Sequence, residues 1–91
     1  MELLINSAIK AQLSTMPDSD QLKTEAALHS LTQEFPNVPG LRRVGADGNL
    51  WELSITFRLR AFLRVESDRA EVIAVVRPDQ LQRYLRRELA G

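Results

Sequence analysis

From Trp51 to Glu66 the chain alternates between apolar and polar residues, and few patterns constrain a fold more tightly. Trp51, Leu53, Ile55, Phe57, Leu59, Ala61, Leu63 and Val65 form the apolar series. Glu52, Ser54, Thr56, Arg58, Arg60, Arg64 and Glu66 form the other, with Phe62 as the one apolar intruder. A period of two means extended backbone with one buried and one solvated face. A single strand of that length would reach roughly 50 Å at about 3.3 Å per residue, too far for a chain of 91 residues. The run must fold back on itself, and Thr56-Phe57-Arg58 is the best place for the turn.

The flanks supply the remaining elements. Glu66-Ser67-Asp68-Arg69 is a polar turn, and Val72-Ile73-Ala74-Val75-Val76 is a β-branched run suited to a central buried strand. Upstream, Leu41-Arg42-Arg43-Val44 has the length of a short strand, and Asp47-Gly48 is a turn signal before the long run. Residues 1–40 read as helical. Asn6 or Ser7 caps a first helix with Ile9, Leu13 and Met16 on one side, and Pro17 stops it. Asp18 and Gln21 have the spacing of a capping box for a second helix. Its apolar stripe is Leu28, Leu31 and Phe35, with Leu22, Ala26 and Ala27 beside it. Pro78-Asp79 opens a last helix with Leu81, Leu85 and Leu89 as its stripe. The expected class is α+β, a single domain over 1–91 with two N-terminal helices packed on a small antiparallel β-meander and a C-terminal helix.

A chain this short supports one modest core, so an oligomer such as a homodimer, or a bound partner, could complete it. No segment has the ~20 apolar residues of a membrane span, and the short apolar run at Leu3-Leu4-Ile5 lacks the basic flank of a signal peptide. With no cysteine, disulfides and thiolate metal sites are excluded. A cytoplasmic protein is the plain expectation. Net charge is zero but unevenly spread: residues 1–40 carry two bases against five acids, and residues 41–91 carry ten arginines against seven acids. Arginine offers a rigid fork of donors for carboxylate or phosphate and stacks on flat rings. The second half therefore suits an anionic partner, or else its arginines pair with the acids around them.

No P-loop, dinucleotide fingerprint, nucleophile elbow or metal-ligand cluster occurs. His29 reads as a helix-surface or partly buried structural histidine, Trp51 as a core anchor and Tyr84 as a helix-surface tyrosine. What remains is the arginine set. Arg58, Arg60 and Arg64 share the polar series with Glu52, and Arg77 closes the last strand. Arginines on neighbouring strands can converge on a phosphate with charge-assisted bonds. They would then stabilise charge developing in phosphodiester cleavage, with Glu52 as a general base.

These residues resemble the RelE/ParE superfamily of bacterial toxins, and within it the phage-derived HigB-like branch. Two helices, a short Leu-Arg segment and Leu50-Trp51-Glu52-Leu53 entering a meander match that family's layout. Phe57-Arg58-Leu59-Arg60-Ala61-Phe62-Leu63 resembles its next strand, with Arg60 best placed as the family arginine. Val72 to Val76, followed by Arg77-Pro78-Asp79-Gln80, sits where the family has its last strand and basic segment. The resemblance runs from about Ala8 to Leu89, and the family's first strand would have to be squeezed into Glu2 to Ile5. It implies a toxin that cleaves mRNA on the ribosome without metal or other cofactor, or inhibits gyrase, with an antitoxin as protein partner. The implied catalytic residues are Arg60, Arg77 and Glu52, and the implied phosphate- or RNA-binding residues Arg42, Arg43, Arg58 and Arg64. Ser54 stands where the family run usually has arginine, no lysine occurs on the strands, and no basic cluster follows the last one. A non-catalytic protein-interaction module of the same fold is the alternative.

Overall fold

A computed structural model describes residues 1–46 and 48–77. The elements in order are β1 (Glu2–Ile5), α1 (Ser7–Ser14), α2 (Asp18–Glu34), β2 (Leu41–Val44), β3 (Leu50–Thr56), β4 (Leu59–Glu66) and β5 (Arg69–Val76). The strands form one sheet in the order β1-β5-β4-β3-β2. From β2 to β5 the sheet is the expected antiparallel meander. β1 joins its far side parallel to β5, with Leu3 opposite Ala70 and Ile5 opposite Val72. The sheet is therefore mixed rather than purely antiparallel: α1 and α2 carry the chain from the β1 edge to the opposite edge, where β2 begins. The expected C-terminal helix, with Tyr84, lies outside the described residues, as does Asp47 of the expected Asp-Gly turn.

The helices follow from local chemistry. Asn6 Oδ1 accepts from Ile9 N at 2.9 Å, an N-cap that satisfies one of the free donors of α1. No capping box opens α2. Pro17 occupies the cap position without a side-chain bond, and Asp18 and Asp20 lie within the first turn, where their charge suits the helix dipole. The buried stripe of α2 is Thr24, Leu28 and Leu31, with Phe35 half-buried just beyond. Leu22 is 67% exposed and Ala26 is also exposed, so neither joins it. Thr24 is buried without penalty because its hydroxyl donates to Asp20 O at 2.8 Å. His29 is exposed on the helix surface, as expected.

The helices cover one face of the sheet. Ile9 and Leu13 of α1 and Leu28 and Leu31 of α2 pack with Leu53, Ala61, Leu63, Val72 and Val75 in a single core cluster. Gln12 Nε2 donates to Val75 O at 2.6 Å and ties α1 to β5. Trp51 anchors the edge of this face, half-buried, with its ring edge-on to Phe35 at 5.2 Å.

The long alternating run does break where expected, with Phe57 and Arg58 between β3 and β4. The unbroken alternation demands more than a turn. In a plain two-residue hairpin, facing partners have opposite sequence parity, so Ser54 would face Ala61 and polar would meet apolar. The structure avoids this with a bulge at Ile55: Thr56 pairs with Leu59, but Ser54 pairs with Arg60 and Leu53 with Ala61. A second irregularity does the same for β5. Phe62 pairs with Ala74 and Leu63 with Val72, leaving Ile73 as the extra residue. Val72 and Val75, three apart, can then both face the core.

Candidate functional site

On the face away from the helices, Glu52, Ser54 and Arg60 lie together with Arg42 from the neighbouring strand. These four, with Gly40 and Leu41, line a concavity of about 410 Å³. Register brings them there. Arg42 faces Glu52 across β2–β3, and Ser54 faces Arg60 across β3–β4. Gly40 sets the start of β2: it turns with φ +79, and its carbonyl accepts from Ser54 N at 2.9 Å. A Cβ at Gly40 would sit 3.0 Å from Ser54 Cβ, so this close crossing of two backbones requires glycine.

Within the concavity the charged heads are already engaged. Arg42 Nε donates to Glu52 Oε1 at 2.7 Å, joining a largely exposed guanidinium to a carboxylate whose side chain is only 6% exposed. This is the cross-strand ion pair that the residue pattern allowed. Arg60 is half-buried, and its Nη1 donates to the carbonyls of Thr56 and Leu59, the latter at 3.2 Å. Those bonds use one edge of the fork and hold the guanidinium against the concavity. No carboxylate pairs with Arg58, Arg60, Arg64 or Arg77 among the described residues. A held arginine beside a buried carboxylate can bind an anionic oxygen with a proton acceptor close by.

The other expected residues are dispersed. Arg43 is on the opposite face from Arg42, with its guanidinium 5.0 Å from the centre of the Trp51 ring. Arg58 lies in the turn rather than on a strand, over the ring of Phe57 at 5.2 Å. Phe57, assigned by parity to the apolar series, is 77% exposed because the turn carries it beyond the core. Arg64 is exposed on the same sheet face as Arg60, facing Leu50 on one side and Glu71 on the other. Arg77 lines a separate concavity with Gln12, Thr15, Met16, Pro17, Asp20, Leu59 and Val75, on the helix side at the end of β5. The structure thus brings together Arg42, Glu52 and Arg60, and sets Arg43 and Arg77 apart from them. Sequence reasoning missed Gly40 and Ser54 as members of the site. Gly40 read only as the end of the helical half, although a glycine directly before a strand is a signal for a positive-φ turn.

The fold has close counterparts among solved structures. The chain is similar to a YoeB/ParE toxin from Agrobacterium tumefaciens, with a TM-score of 0.68 and 17% identity over 85% of this chain and 98% of that one. It is also similar to a copper-bound mutant toxin from Helicobacter pylori, with a TM-score of 0.61 and 15% identity over 89% of this chain and 98% of that one. No family profile matches the sequence, and no curated protein matches it at a significant level. The architecture, two helices on one face of a five-stranded sheet, is the fold shared with these two toxin structures.

Proposed function

We propose that the protein is a RelE-like toxin of a toxin–antitoxin system that acts in the cytoplasm by cleaving mRNA on the ribosome. One observation carries this reading: Arg42, Glu52, Ser54 and Arg60 share one concavity on the face of a toxin-like sheet that points away from α1 and α2. In that reaction the ribose 2′-hydroxyl gives its proton to Glu52, and its oxygen bonds to the adjacent phosphorus. The bond from phosphorus to the 5′-oxygen then breaks, leaving a 2′,3′-cyclic phosphate, and the departing 5′-oxygen takes a proton from solvent water. Arg60 stabilises the extra negative charge on the phosphoryl oxygens as it develops. Arg42, now on Glu52, swings to the incoming phosphate and frees the carboxylate oxygen that takes the proton. Arg58 and Arg64 guide the chain toward the site by charge. Arg77, on the far side of β5, takes no part in the chemical step in this reading. The antitoxin is the protein partner that silences the site.

Induced expression in bacteria tests it. Wild type should arrest growth and leave cuts in ribosome-bound mRNA, mapped by primer extension. Arg60→Ala and Glu52→Gln should each grow normally while remaining folded by circular dichroism. A harmless wild type that leaves mRNA intact would refute the proposal.

A second reading has its own support. All three charged heads of the concavity are already bonded within the chain, Glu52 to Arg42 and Arg60 to backbone carbonyls, as a purely structural cluster would be. The chain would then be a non-catalytic interaction module of the same fold. Its partner binding should survive Arg60→Lys, which keeps the charge and loses the forked geometry.

A further inference from the structure

The tip of the β3–β4 hairpin departs from the order of the rest of the sheet. Phe57, at 77% exposure, is the most exposed large apolar side chain among the described residues. Its ring is not bare, because the Arg58 guanidinium lies 5.2 Å from its centre. The tip is also held. Arg58 N donates to Thr56 Oγ1 at 3.0 Å, and Arg60 Nη1 donates to the Thr56 carbonyl. The last bond makes the tip continuous with the concavity, since Arg60 lines that concavity with Glu52 and Ser54. Ser54 and Phe57 are three residues apart on one chain, which sets an upper limit of roughly 11 Å on their separation, a distance that a neighbouring nucleotide can span.

We propose that Phe57 and Arg58 form a stacking platform for an unpaired base of single-stranded RNA whose adjacent phosphate lies in the Arg42–Glu52–Arg60 concavity. This rests on the reading of that concavity as the site for RNA. Charge selects the occupant. An apolar protein surface seated on Phe57 would strip water from Arg58 and leave its charge unmatched, for no carboxylate pairs with it among the described residues. A nucleotide supplies both needs at once, a flat π face for the ring and guanidinium and a phosphate for the charge. Because every base has such a face, the platform holds the strand without choosing its sequence.

Binding of a short fluorescein-labelled oligoadenylate, followed by anisotropy, tests the platform. Phe57→Ala should weaken binding about tenfold or more, the usual loss when a base loses its aromatic partner. The slope of log affinity against log salt should stay unchanged, since no charge is removed. Phe57→Trp should bind at least as tightly as wild type, and the fluorescence of its new indole should fall as the base stacks. Arg60→Ala should instead lower the salt slope by about one phosphate contact. If Phe57→Ala binds as tightly as wild type, the platform is wrong while the concavity still stands as the RNA site. A wild type that arrests growth yet binds no oligoadenylate also overturns the platform alone. A wild type that neither arrests growth nor binds overturns the site reading and the platform together.

Discussion

The two faces of the sheet are built by different rules from the same strands. The face toward α1 and α2 is apolar at its centre, with Leu53, Ala61, Leu63 and Val72 all at 1% exposure or less. The opposite face mixes Phe62 and Leu50, both buried, with Glu52, Ser54, Arg60 and Arg64. The first face is held by burial and tolerates any well-fitting apolar set. The second is held by register, because its polar groups work only when each meets its cross-strand partner. Stability and site geometry are thereby assigned to different residues, and substitutions should separate them.

The largest effects should come from adjacent residues pointing in opposite directions. Leu63 and Phe62 are both fully buried, one toward the helices and the other away from them. Leu63→Ala should cost about 2–5 kcal/mol and Phe62→Ala about 3–5 kcal/mol, measured by urea unfolding. Similar losses would mean that the mixed face contributes to folding on a par with the helix face. A loss below about 1 kcal/mol at Phe62 would mean that the second face is merely covered and adds little.

Next come two glycines with the same backbone and different surroundings. Gly40 and Gly48 both have φ +79, but a Cβ at Gly48 meets nothing within 4 Å while one at Gly40 meets Ser54. Gly48→Ala should cost about 1 kcal/mol from backbone strain alone, and Gly40→Ala about 2–3 kcal/mol. The excess measures how tightly the crossing at Ser54 holds the register of β2, and with it the position of Arg42.

The helix face was the more legible of the two in the sequence. The apolar series from Leu53 to Leu63 and the Leu28–Leu31 pair each state a period and a face, the β-branched run of β5 states a buried strand, and the length of the alternating run requires that it fold back. The bulge in β3 was legible in principle. Strict alternation through a two-residue turn cannot pair like with like unless one residue is extra, and Ile55 is that residue. The site was less legible because it depends on pairings between strands that no local pattern states. Arg43 and Arg77 belong by composition to the arginine set, yet alternation along their own strands sends them to the helix side. Gly40 and Ser54 carry no charge, so a search for charge passed over them. The parallel placement of β1 depends on where two helices deliver the chain, a long-range result that four residues do not encode.

A smaller effect tests whether the mixed face is tuned for stability or for its surface. Arg42→Ala leaves the buried Glu52 without its cation. Full burial of both partners would make this costly, but Arg42 is mostly exposed and water can replace it, so the loss should be about 1–2 kcal/mol. In a Glu52→Gln background the same substitution should cost almost nothing. A double-mutant cycle by thermal unfolding measures the difference. A coupling near zero would mean that the pair is placed by register without contributing to it, and that Arg42 can leave Glu52 freely when an anion arrives.

The smallest stability effect belongs to the most conspicuous side chain. Phe57 and Phe62 are five residues apart on one hairpin, one 77% exposed and the other wholly buried. Phe57→Ala removes no core contact and should change stability by no more than about 0.5 kcal/mol, as surface substitutions do. Its contact with Arg58 is an exposed cation–π pair worth about 0.5–1 kcal/mol at most, and part of that is recovered when the ring and guanidinium are solvated separately. Urea unfolding of Phe57→Ala beside Phe62→Ala therefore calibrates the comparison of the two faces at its extreme. A Phe57→Ala variant that unfolds far more readily than wild type would show that the ring braces the hairpin. A neutral variant leaves its exposure to be explained by what binds there.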